Sequence, residues 1–97
     1  MLHTINQSPF GSDSLNTVLR FVQPGDPILF LQDGVYAVQS GNRFAERLSG
    51  IQQSNPVYAL EPDLMARGIE NPEEGVKLID YSGFVDLVEE HPVSNWL

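Results

Sequence analysis

The chain has 97 residues, of which 41% are apolar, enough for one domain over residues 1–97 with a core of modest size. Thirteen acids against five bases give a formal charge of −8, which argues against a protein built to neutralise nucleic-acid phosphates or to dock on an anionic membrane. Cysteine is absent, which excludes disulfides, zinc–thiolate sites and thiol nucleophiles.

Leu2–Ile5 reads as a short first strand, interrupted by His3 and Thr4 and therefore expected nearer a sheet edge. Met1–Gln7 has neither a basic region nor an apolar core, so no signal peptide is expected. Ser8-Pro9-Phe10-Gly11 is a turn, and Ser12 or Asp13 is placed to cap a helix. Leu15, Val18, Leu19 and Val22 follow at helical spacing, and Pro24-Gly25 ends that helix. Val18 should therefore be buried. Ile28–Leu31 is apolar at every position, the pattern of a central strand covered on both faces. It is also the longest apolar run, so no membrane span is expected and the cytoplasm is the expected location. Asp33-Gly34 closes that strand. Val35–Ser40 is ambiguous between helix and strand.

Phe44 and Leu48 sit four apart on a short helix that ends at Ser49-Gly50. Arg43 and Arg47 are the only two bases spaced to share a helix face. Val57–Leu60 reads as a third strand, and Pro62-Asp63 opens a helical turn that ends at Gly68. Val76–Ile79 reads as a fourth strand. Asp80-Tyr81-Ser82 leads into a last helix bearing Phe84, Val85, Leu87 and Val88, which His91-Pro92 ends. The tail Val93–Leu97 is apolar for an exposed terminus. Strands alternating with helices predict an α/β fold, a three-layer α/β/α sandwich with a mainly parallel sheet.

Three of these stretches, with two more, resemble the DsrH/TusB family. They are His3-Thr4-Ile5-Asn6-Gln7-Ser8-Pro9-Phe10, Phe30-Leu31-Gln32-Asp33-Gly34-Val35-Tyr36-Ala37 and Tyr58-Ala59-Leu60-Glu61-Pro62-Asp63-Leu64-Met65-Ala66-Arg67-Gly68. Ile79-Asp80-Tyr81-Ser82-Gly83-Phe84-Val85-Asp86-Leu87 and the Trp96-Leu97 end match as well. The resemblance implies a fold of the DsrE/DsrF/DsrH type and a role as a non-catalytic subunit of a sulfur-relay complex. That complex supports 2-thiolation of the tRNA wobble uridine. Its implied partners are paralogous TusC-like and TusD-like subunits in a heterohexamer, where the D subunit carries the reactive cysteine. Some DsrH members have a cysteine in the first helix. The matching residue here is Val18, so the chain cannot hold a persulfide. The other roles open to it are a subunit of a dissimilatory sulfur-oxidation complex and a stand-alone small-ligand-binding domain.

Ligands of open α/β sheets sit outside the carboxyl ends of the strands. His3, Ser8, Asp33 and Gly34 are the cleft candidates on this reading. Each has a structural alternative. Asp33 fits a helix cap, Gly34 a tight turn and His3 a hydrogen-bonded strand residue. Ser8 has no nucleophile-elbow context. Asp80 is a further strand-end carboxylate, and an enzyme using Asp33 or Asp80 as a base lacks a second catalytic group. Glu89-Glu90-His91 has adjacent residues pointing apart, which is poor metal geometry. No catalytic residue, metal or cofactor is expected. Phe10, Tyr36, Trp96 and Leu97 are the candidates for a partner interface, because aromatic residues are enriched in interface cores.

Overall fold

The computed structural model describes residues 1–96. Leu97, one of the interface candidates, lies outside the described residues. Five strands form one sheet: β1 (Leu2–Ile5), β2 (Ile28–Phe30), β3 (Val57–Leu60), β4 (Lys77–Ile79) and β5 (Val93–Trp96). Their order is β4-β3-β2-β1-β5, and every pairing is parallel. The continuously apolar β2 takes the central place that its sequence predicts. The first strand is next to an edge and not on it, because the tail supplies an outer strand. Leu2 pairs with Val93 and Ile5 with Trp96 in that ladder.

The helices are α1 (Ser14–Phe21), α2 (Ala45–Gln52), α3 (Glu61–Ala66) and α4 (Tyr81–Glu90). The ambiguous stretch after β2 is a 3₁₀ helix over Gln32–Val38. Successive steps from β1 to β4 run one way across the sheet, so right-handed crossovers put their helices on one face. The return from β4 to β5 runs the other way and carries α4 to the opposite face.

The two faces are unequally covered. On the first, Ile5, Ile28, Phe30, Val57 and Ala59 pack against Leu15 and Val18 of α1, Val35 and Val38 of the 3₁₀ helix, Leu48 of α2 and Leu64 of α3. Val18 has no solvent exposure. On the second, Leu2 and Leu29 meet Leu87 of α4, with Leu31, Tyr58, Ile79 and Phe84 only partly buried around them. Asp80 starts α4 by accepting a 2.9 Å hydrogen bond from the Gly83 N–H, which satisfies an otherwise free donor of the first turn.

Candidate functional site: strand ends and surfaces

At the carboxyl end of β1, the 3₁₀ helix comes very close to the strand. A Cβ added to Gly34 would lie 2.1 Å from the Ile5 carbonyl oxygen. Gly34 is thus needed for close approach and not for a left-handed turn, the role its sequence context suggested. Its N–H donates to the Leu31 carbonyl at 2.9 Å. Asn6, the first residue past β1, keeps its Oδ1 buried and without a hydrogen-bond partner among the described residues. Nothing in the sequence distinguishes it from an ordinary turn residue.

Asp33 follows β2 and accepts from Arg67 Nε at 2.9 Å. The same guanidinium lies 3.9 Å from Asp63, and Asp63 Oδ2 accepts the Gln32 N–H at 2.6 Å. Gln32 has a positive φ of 51°, a conformation unusual for a residue with a side chain. The Asp63 hydrogen bond holds it there. Asp33, through Arg67, and Asp63 of α3, through the Gln32 N–H, therefore brace the 3₁₀ helix against α3. Ser8 closes its own turn: its Oγ accepts the Phe10 N–H at 3.2 Å and its carbonyl the Gly11 N–H at 3.1 Å.

His3 is not brought to this cleft. It is buried near the amino ends of the strands, where Trp96 Nε1 donates to its Nδ1 at 3.0 Å. Its Nε2 lies 3.1 Å from Asp26 Oδ2. An indole nitrogen only donates, so the network is satisfied with the imidazole proton on Nε2, pointing to Asp26. Asp26 also accepts from the N-terminal ammonium at 3.0 Å and from the Gln23 N–H at 3.0 Å. Burial pushes its carboxyl up. The hydrogen bonds from the ammonium, Gln23 and His3, with the ammonium charge, outweigh that and hold it at about 2, below the ordinary 3.8. The Trp96 ring also stacks on Phe21 at 5.8 Å.

Of the other interface candidates, Tyr36 is partly buried against the larger core and Phe10 is 49% exposed. Sequence reasoning passed over the outer side of α4. Tyr81, Val85 and Val88 are 60%, 54% and 43% exposed. Together with Phe84 and Leu87 they span an apolar arc of roughly 160° at 100° per residue, and the sheet covers only the Phe84–Leu87 side. That width is visible in the sequence once the helix register is known. Among the described residues no group of three His, Cys, Asp or Glu is placed to hold a metal ion, and no helix is long and apolar enough to cross a membrane.

These features define a small all-parallel α/β protein whose strand-end acids are tied up structurally and whose chain has no thiol. Residues 7–94 match the family model described as DsrH like protein, and the chain belongs to that family. It is 44% identical over 93 residues to protein TusB of Pectobacterium carotovorum subsp. carotovorum strain PC1, covering 95% of each chain. It is also 44% identical over 93 residues to protein TusB of Escherichia coli K12, again covering 95% of each. Among solved structures, the ychN protein of E. coli superposes with a TM-score of 0.83 at 18% identity over 97% of both chains, a likeness of fold. Tm0979 of Thermotoga maritima gives a TM-score of 0.66 at 26% identity over 94% of both.

Proposed function

We propose that this chain is a non-catalytic subunit of a sulfur-relay complex that supports 2-thiolation of tRNA wobble uridine in the cytoplasm. Its role is TusB-type, as the names of its relatives indicate. The partners in this reading are the paralogous TusC-like and TusD-like subunits, with the sulfur carried on a partner's cysteine. The observation that carries the reading is an apolar surface left open on a chain with no cysteine of its own. A persulfide needs a thiolate, so the chain contributes contact and not sulfur chemistry. Tyr81, Val85 and Val88 supply that contact, with Phe10 and the Trp96 end as further candidates.

The test is deletion of the gene followed by assay of wobble-uridine thiolation, with copurification of the cysteine-bearing partner. Loss of thiolation, restored by the wild-type chain, and recovery of both chains in one complex are expected. Normal thiolation in the deletion strain together with no association would sink the reading.

A further inference from the structure

Three of the five bases stand on one side of the molecule. Arg43 lies with its guanidinium carbon 5.1 Å from the Phe10 ring and 5.1 Å from the Phe44 ring. Arg47 lies with its guanidinium carbon 5.7 Å from the Phe44 ring and also donates to Asn16 of α1. Arg20 joins Arg47 along the groove between α1 and α2. Phe10 and Phe44 meet edge to face at 5.4 Å, so the rings form a fixed platform.

Among the described residues, none of these three arginines forms an ion pair, whereas Arg67 is paired with Asp33 and Asp63. That is unusual in a chain with thirteen acids. Asp13 borders the groove and Glu46 precedes Arg47, which limits how many anions the patch accepts. A guanidinium stacked on a ring keeps its N–H donors at its edge, pointing outward. Stacking also removes part of the entropy lost on binding. Exposed Phe10 adds apolar surface beside the charges.

We propose that Phe10, Arg43, Arg47 and Arg20 form a docking surface for a short acidic segment of a partner protein, one with a few carboxylates beside an apolar side chain. The fork geometry of arginine matches a carboxylate with two parallel hydrogen bonds. Nucleic acid fits less well. A phosphate backbone is a long polyanion, and the net charge of −8 opposes its approach. A short segment meets the patch alone. The surface lies on the α1–α2 side, opposite α4, and its assignment does not depend on the sulfur-relay reading.

The experiment uses the full 97-residue chain and a fluorescein-labelled peptide of alternating Glu and Leu, with a Gln-for-Glu control and a labelled oligouridylate. Anisotropy titrations should show binding of the Glu peptide that weakens with salt and is lost with the Gln peptide. In ¹⁵N spectra the Arg43 and Arg47 side-chain Nε–H signals should move. The Arg43→Ala/Arg47→Ala double variant should bind about tenfold more weakly or worse, with its melting temperature retained, and Arg43→Lys should lose part of the affinity because it keeps charge without the fork. Absence of peptide binding overturns the proposal, and so does binding that ignores these substitutions. Tighter binding of the oligouridylate would overturn it in favour of a phosphate site.

Discussion

Gly34 and Asp26 show how single residues hold this fold, and each makes a measurable demand. A methyl group at Gly34 would lie 2.1 Å from the Ile5 carbonyl, and the obstacle is backbone in a central ladder, which cannot rotate aside. Gly34→Ala should destabilise the protein by about 2–4 kcal/mol, the range of severe overpacking. Gly11→Ala, where a Cβ meets nothing within 4 Å, is the control and should change stability by less than about 0.5 kcal/mol. Urea denaturation of both variants checks the contrast. Asp26 makes a different demand, on pH. Its carboxyl is held at about 2 in the fold against an ordinary 3.8. A depressed carboxyl stabilises the folded state above its unfolded value and loses that contribution as pH falls through its folded value. The stability gap between wild type and Asp26→Asn should therefore hold its full value between about pH 5 and pH 7 and narrow toward about pH 2. A gap that does not change across that window would show that the ammonium, Gln23 and His3 do not hold the charge.

At the scale of elements, the sequence made most of the sheet legible because burial on both faces writes itself as an unbroken apolar run. Ile28–Phe30 is such a run and is fully buried. That strand ends one residue before the predicted Leu31, whereas Val57–Leu60 matches its predicted bounds. What escaped was context. Val93–Trp96 alternates exposed and partly buried residues, the mark of an edge strand. In a run this short, that half-polar pattern is hard to separate from a loop. The 3₁₀ helix was hard to read because Val35, Tyr36, Ala37 and Val38 form a short continuous apolar run, which periodicity alone assigns to neither helix nor strand. In the candidate site, the positions of Asp33 and Gly34 at a strand end were readable. Their partners were not, because Arg67 and the Ile5 carbonyl lie far away in sequence. The spacing of Leu15, Val18, Leu19 and Val22 correctly placed Val18 in the core, where it has no exposure. Val18→Asp should cost about 3–5 kcal/mol, because a carboxylate there finds neither water nor a partner. Thermal and urea unfolding measure this, and an unchanged midpoint would place the side chain in contact with solvent.

At the scale of the whole molecule, the decisive asymmetry is between the two faces of the sheet. A parallel sheet is ordinarily covered on both sides. Here α1, α2, α3 and the 3₁₀ helix cover one side, while α4 alone crosses the other and leaves Tyr58, Ile79 and Phe84 partly open. Tyr81, Val85 and Val88 then extend that apolar surface outward, with Asp86, Glu89 and Glu90 on the remaining arc of the helix. An acidic flank on a chain of net charge −8 disfavours a second copy of itself on this face. It suits a partner with apolar centre and basic rim. If α4 is that interface, substitution on its outer side should separate folding from assembly. Val85→Ser/Val88→Ser removes apolar groups that are about half exposed in the single chain, so its stability should change by less than about 1 kcal/mol. The same groups become fully desolvated under a partner, where loss of an apolar anchor costs about 2 kcal/mol or more of binding. The variant should thus melt with the wild type yet fail to copurify with the cysteine-bearing subunit, and it should not restore thiolation to a deletion strain. A variant that folds, assembles and restores thiolation would move the interface elsewhere, with Phe10 and Trp96 the next positions to substitute.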